Sequence, residues 1–393
     1  MTSLIYLDNS TTTKPSEKAI SAMMPFWTNY WGIPSAPHQK GQELYPFIGE
    51  YYKNLYQLLG ADEEDSLILT SSGTEAVNHV VSSVYRDVTL STGKNHFLSG
   101  ALDEAASIIA MSHLEPFGCL GRVVSVDAQG KVTAESLADC LSPRTALLSI
   151  SCANGLTGVI QPLVEIAALC KQRGVRLHLD ATHVLGKLYF DFQEIGADYI
   201  SFNGDHLHAP KGCGALYIKK GIKCSPLLFG SADQAGMRAG GLNVPSLAAL
   251  SFAAKEAMEN RDLVCTEVAR LRNQLEQGVT QAIPKSIICF KEQERLPHCT
   301  TLLFPGLANE AILYALNRRG LCASIGGGSF QQLGLMLCST GMDPLLAHSA
   351  VSFSLSRYTT ENEIERAIVI ISEVVHSLNR LSFQSDVLGE SFQ

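Results

Sequence analysis

The chain has 393 residues, 46% of them hydrophobic and 17% charged, enough apolar side chain to bury a sizeable core and too much for a generally disordered chain. At roughly 100 to 200 residues per domain, this length implies two or three domains rather than one small module. Thirty Lys plus Arg against 38 Asp plus Glu leave a formal net charge of -8, the wrong sign for a protein that grips duplex nucleic acid. The apolar runs, such as Ala367 to Ser372, stop far short of the roughly 18 residues a membrane span needs. The opening MTSLIYLDNS has no basic segment and no cleavage signature, so it reads as a mature cytoplasmic start. Eleven cysteines without a CxxC pair indicate neither a disulfide framework nor a zinc ribbon, and they read as reduced core residues.

Short β-branched or apolar runs alternate with helical-period segments, the pattern of βαβ units around a mainly parallel sheet. The runs predict strands at Ser66 to Thr70, His96 to Ser99, Val123 to Asp127, Thr145 to Ser151, Val175 to Asp180, Tyr199 to Asn203 and Ala215 to Lys219. Between them the spacing predicts helices at Thr74 to Tyr85, Ala105 to His113 and Pro162 to Arg173. The last ends in Lys171, Arg173 and Gly174, where cations suit the helix dipole and glycine suits a left-handed cap. A long helical stretch follows from Ser246 to Gln281. Shorter elements near Thr300 to Phe304, Glu310 to Arg319, Val351 to Leu355 and Glu361 to Leu381 then suggest a second domain, with a loose tail from Ser382.

Seven segments in order resemble the cysteine desulfurases of the class V aminotransferase superfamily, NifS-like enzymes that use pyridoxal phosphate (PLP) to take sulfur from cysteine. They are YLDNSTTTKP at Tyr6, TSSGTEAVN at Thr70, NGLTGVIQP at Asn154, HLDATHVLGK at His178, FNGDHLHAPKGCGALYI at Phe202, MRAGGLNVPS at Met237 and SFSLSRYTTENEIE at Ser352. The resemblance implies a PLP-dependent transferase type I fold: an α/β large domain with a mainly parallel sheet from residue 14 to 256, and a smaller α+β domain from residues 1–13 and 257–393. It also implies a homodimer whose cofactor site is completed across the interface.

On this resemblance the turn at Ser72, Gly73 and Thr74 faces the PLP phosphate at a helix N-terminus, although Thr74 would serve equally well as an ordinary cap. Asp180 matches the carboxylate held against the pyridinium nitrogen, and Asn154 the first asparagine of a family pair. Other positions depart. His206 stands at the Schiff-base lysine, and an imidazole has no primary amine to condense with an aldehyde. Ser329 stands at the nucleophilic cysteine, and a hydroxyl cannot hold a persulfide. Glu104 replaces the ring-stacking histidine, His183 the glutamine beside the phenolic oxygen, and Gly155 the second asparagine. Asn203 replaces the phosphate serine, Gly241 the threonine from the partner subunit, and Ser352 the substrate-clamping arginine. Asp205 sets a carboxylate near where the phosphate belongs. Lys187, Lys211, Cys322 and Arg357 match family residues with other roles, while Cys338 is the remaining thiol within chain reach of the site.

Glycines and apolar core positions keep the family pattern while imine formation, ring stacking, substrate clamping and sulfur transfer lose their groups. The first reading is therefore a homologue without desulfurase activity, a scaffold or regulator partnered with a sulfur-transfer or iron–sulfur assembly protein. The second is a still-active PLP enzyme using Lys187 or Lys211, or holding the cofactor in an unusual pose. The third is a repurposed metal site in which Glu104, Asp180, His183, Asp205 and His206 converge, weighed against ordinary His–Asp pairing of the same groups. His178 and His208 read as structurally satisfied, His38 as an entrance position, and Trp27, Tyr30 and Trp31 as a core or dimer contact.

Overall fold

The computed structural model describes residues 4–327 and 331–390, so Ser329 lies outside the described residues. The strand β1 (Ile5–Tyr6) opens the chain and finds its partner only some 300 residues later. The main sheet comprises β2 (Ser66–Thr70), β3 (His96–Gly100), β4 (Leu120–Val124), β5 (Thr145–Ser151), β6 (Arg176–Asp180), β7 (Tyr199–Asn203) and β8 (Gly214–Ile218). Its order is β2-β8-β7-β6-β5-β3-β4. From β7 to β4 neighbours run parallel, while β8 runs antiparallel to both β7 and β2.

The interior strand β5, TALLSIS, is buried along its whole length, because helices cover both faces of a parallel sheet. Leu148 on this strand is fully buried, and its truncation to alanine would cost about 2–5 kcal/mol through lost transfer energy and a cavity. The edge strand differs. β4 exposes most of its residues and lies three positions before the predicted Val123 to Asp127, because register with β3 rather than burial defines it. The helix Leu163–Arg173 stops at Gly174 with φ 60°, the left-handed cap expected there.

Beyond the sheet come the helix Val244–Glu259 and the segmented helical run that ends with Ala269–Ala282. Then follow β9 (Ile287–Ile288), β10 (Cys299–Leu303), the helix Asn309–Arg318, β11 (Leu321–Cys322), β12 (Gly326–Gly327), β13 (Gln331–Gln332) and β14 (Ala350–Ser354). β14, β10 and β9 make an antiparallel sheet, and the last helix runs from Glu361 to Glu390 where the sequence suggested a loose tail from Ser382. A second core forms here from Ile5 and Leu7 of the N-terminal arm together with Leu302, Phe353, Ile364 and Ile371.

The arm links the two cores. Leu7 donates its N–H to Cys322 and accepts from Ser354, and six residues on Thr13 donates to the carbonyl of Asp205. Tyr30 packs against Phe26 and Phe47, but Trp27 and Trp31 are 60% and 64% exposed, which removes both from the core reading. Among the described residues no helix is long and apolar enough to cross a membrane.

Candidate functional site

The carboxyl ends of β3, β6 and β7 and the helix start after β2 point toward one edge of the sheet, the usual place for a ligand in an α/β fold. There they border a cavity of about 710 Å³. Glu104 reaches it from the turn after β3, Asp180 and His183 from the end of β6, Asn203 from the end of β7, and His206 from the turn after β7. Gly73 and Thr74 border it from the first turn of the helix Gly73–Val84. Asp8 and Ser10 of the arm and the segment from Ser324 to Gly327 close the far side. Their place in the site was not read from the sequence, although Asp8 lies inside the YLDNS segment that carried the resemblance.

Ser72 caps the helix by accepting from Glu75 N–H at 3.1 Å, which leaves the first N–H groups of the helix to the cavity side. One of them is already engaged: Gly73 N–H points at Asn203 Oδ1, 3.4 Å away. Asp180 accepts from Thr182 N–H at 2.9 Å. Burial, against that hydrogen bond and with the charge of Glu104 adding, pushes its carboxyl up to about 6. Burial likewise pushes Asp8 above the usual carboxylate range, while the Thr11 and Ser324 hydroxyls oppose.

His183 is buried and its Nε2 lies 3.2 Å from Glu104 Oε1. A carboxylate can only accept, so Nε2 carries the proton and Nδ1 is a bare lone pair in the neutral ring. Among the described residues Nδ1 has no partner. Burial lowers the His183 pKa, which keeps that neutral form, and Glu104 opposes the shift. The ring lies directly on Gly155: a Cβ there would sit 2.3 Å from His183 Cε1 and 2.5 Å from Nε2. The glycine is therefore what makes room for the imidazole.

His206 is also buried, and both of its ring nitrogens are used. Nε2 lies 2.9 Å from the carbonyl oxygen of Ser10, so it must donate. Nδ1 lies 3.1 Å from Asp205 Oδ1, so the ring is held on both sides. Burial would raise Asp205, but His206, Thr12 and Lys211 hold it below its ordinary range. The ring meets His183 edge to face, centroids 4.9 Å apart.

The remaining candidates fall elsewhere. Asn154 is buried in the turn after β5, where Oδ1 accepts from Leu156 and Thr157 N–H and Nδ2 donates to the Leu102 carbonyl at 2.8 Å. It shapes the turn that presents Gly155 and Leu156 and does not itself border the cavity. Asp205 also turns away, toward Thr12 Oγ1 at 2.8 Å. Lys211 donates to Thr12 Oγ1 from outside, and Lys187 donates to the His206 carbonyl from behind, its ammonium lowered to about 8 by burial. Ser352 gives its hydroxyl to the Leu156 carbonyl, and Arg357 pairs with Glu256. Cys338 packs beside Leu333 and Leu337, outside the cavity.

Of the five residues weighed for a metal, Glu104, Asp180, His183 and His206 border the cavity and Asp205 does not. Among the described residues no group of three or more His, Cys, Asp or Glu could hold an ion. The physical reason is that Asp205 and both nitrogens of His206 are already committed. His178, expected to be satisfied, bonds Ser149 and Ser201 at 2.7 and 2.9 Å, and burial drops it to about 3.

A family model described as aminotransferase class-V matches residues 5–367. "Cysteine desulfurase" of Trichormus azollae is 35% identical over 392 residues, covering 98% of this chain and 97% of that protein. "Cysteine desulfurase NifS" of Azotobacter vinelandii is 32% identical, covering 96% and 94%. A solved structure titled "NIFS-like protein" superposes with a TM-score of 0.88 at 27% identity, covering 95% of this chain and 99% of that one. The chain belongs to the class-V aminotransferase family, and within it to the cysteine desulfurase homologues. Its α/β architecture is that of the PLP-dependent NifS-like proteins.

Proposed function

We propose that the chain is a cysteine desulfurase homologue without desulfurase activity, kept as a scaffold or regulator in sulfur transfer or iron–sulfur assembly. What supports this reading is His206: the resemblance sets it at the family's imine position, it has no primary amine, and both its ring nitrogens have partners. The cavity does not fit the cofactor well in other respects. No lysine or arginine is among the described residues that border it, whereas Asp8 and Glu104 add carboxylates to a cavity in which only that of Asp180 matches the family pattern. Asn203 already takes the Gly73 N–H that would face that phosphate.

A homodimer in the cytoplasm is part of the proposal. Exposed Trp27, Trp31, Ile33 and Tyr45 are the kind of apolar surface that subunits cover, and eleven free thiols suit a reducing compartment. The test is the absorbance of the full-length protein from 300 to 500 nm with PLP, before and after borohydride. No reducible band and no sulfide from cysteine are expected. A reducible band would overturn the reading and direct peptide mapping to Lys187, whose lowered pKa suits an amine nucleophile, or to Lys211. Pull-down from native lysate should recover a sulfur-transfer or iron–sulfur assembly protein, and recovery of neither class would remove the scaffold role.

A further inference from the structure

The two edges of the main sheet are finished differently. On the β2 edge the main chain of Leu69 is covered: the Gln234 side chain accepts from its N–H at 2.7 Å and donates to its carbonyl at 3.1 Å. Gln234 and Ala235 are held for this at positive φ, 48° and 58°, a conformation that costs non-glycine residues free energy. The β4 edge has no such cover. Leu120 N–H donates to the Asn95 carbonyl and the Val124 carbonyl accepts from Ala101 N–H. In the alternation of a parallel ladder, Leu120, Arg122 and Val124 therefore bond toward β3, while Gly121 and Val123 turn their N–H and C=O groups outward. Among the described residues those outward groups have no partner. The side chains beside them are apolar and open: Leu120 and Val123 are 40% and 49% exposed, and Phe117, just before the strand, 66%. Arg122 is exposed and has no ion pair among the described residues. Arg144, also exposed and unpaired, shares its surroundings, since burial lowers the His96 pKa and the charges of Arg144 and Arg122 lower it further.

We propose that the open edge of β4 takes up an extended segment of a partner protein as an eighth strand of the sheet, apolar on both sides of an acidic residue set opposite Arg122. Main-chain bonds to Gly121 and Val123 hold the segment, its apolar side chains cover Leu120 and Val123, and its carboxylate answers the free guanidinium. A second copy of this chain fits less well. Pairing β4 with itself across a two-fold axis sets the two Arg122 side chains directly opposite or diagonally adjacent in every register that joins Gly121 or Val123, and like charges there repel. No residue of β4 borders the cavity, so the inference holds whether or not that space keeps a cofactor.

Fluorescence polarisation of the full-length protein with the labelled peptide TVVEVVT, against TVVKVVT and two forms of the Glu peptide methylated at alternate main-chain nitrogens, tests it. The Glu peptide binds and slows hydrogen exchange at Gly121 and Val123, and the Lys peptide binds about fivefold more weakly, the effect of one cross-strand charge pair. One methylated form loses binding and the other keeps it, because only one alternate set of nitrogens faces β4. Arg122→Glu reverses the preference between the two peptides, and its gain of Lys-peptide binding shows that the variant is folded. Equal binding of the Glu and Lys peptides, indifference to methylation, an unreversed preference in R122E, or no binding at millimolar peptide overturns the proposal. Sedimentation of the parent and of Val123→Pro, with matching circular dichroism, covers the other occupant: an unchanged mass is expected, and a mass that falls in V123P shows a second copy paired at β4 and overturns the partner strand.

Discussion

Replacing Gly155 by alanine probes whether the imidazole of His183 is locked against its neighbours. The new Cβ would lie 2.3, 2.5 and 2.7 Å from three atoms of the ring, all closer than carbon contacts allow. The ring cannot retreat freely, because Glu104 holds it at Nε2 and His206 stands edge-on at 4.9 Å. Overpacking of this kind costs about 1–3 kcal/mol, and loss of a hydrogen bond to a charged group another 1.5–3. Against these, alanine restricts the unfolded chain and returns about 0.4–1 kcal/mol. A net destabilisation of about 2–5 kcal/mol is therefore expected for G155A, read as a fall in the urea midpoint at pH 7 with unchanged slope. The double variant G155A/H183A should recover most of it, because removing the ring removes the collision, and a coupling of at least about 1 kcal/mol should appear in the cycle. Additive effects, or a G155A protein as stable as the parent, would refute the reasoning.

Other outcomes follow from the same geometry. Asn154→Ala should lower stability by about 3 kcal/mol in urea denaturation, since it strands the Leu156 and Thr157 N–H groups and the Leu102 carbonyl in a buried turn. The Asp180 carboxyl, raised to about 6, takes up a proton in the folded state that the unfolded chain has released, so its ionisation opposes folding as pH rises from about 4 through 6. Asp180→Asn should accordingly stabilise the protein at pH 7 by up to about 3 kcal/mol, with the gain disappearing near pH 4. Lys187 has the reverse sign: lowered to about 8, it binds a proton more weakly in the fold than in the unfolded chain, and stability is gained as pH rises from 8 toward 10.5. Lys187→Met should thus be more stable than the parent at pH 7 by about 2 kcal/mol, after allowing for the lost bond to the His206 carbonyl, and thermal scans at pH 7 and 10 should show the difference closing. A less stable K187M at pH 7 would count against a depressed lysine.

Most of the central architecture was legible because burial writes itself into residue type. β5 and β7 are buried along nearly their whole length and begin and end where expected, whereas the edge strand β4 is set by pairing with β3 and was misplaced by three residues. Glu104, Asp180, His183, Asn203 and His206 were legible as a group, since the ends of neighbouring parallel strands bring them to one edge. Side-chain direction was not. Asp205 and His206 are adjacent in sequence, yet one faces Thr12 and the other borders the cavity, a difference set by the short helical turn from Gly204 to Leu207. Nor does a pattern of residue types disclose that Asn154 spends its amide on the turn, or that Gly155 yields its space to a ring 28 residues away in the chain.

The late pairing of β1 has a consequence during synthesis. Ile5 and Leu7 emerge from the ribosome some 300 residues before β11, β14 and the residues Ile364 and Ile371 that cover them. The arm must wait, apolar and unpaired, until those elements exist, and closing so long a loop is slow. Because Ser10 supplies the carbonyl that fixes His206, the cavity is finished only at that final step. A nascent chain stalled before Val351 would hold a folded sheet with an unfinished pocket and an arm open to chaperones.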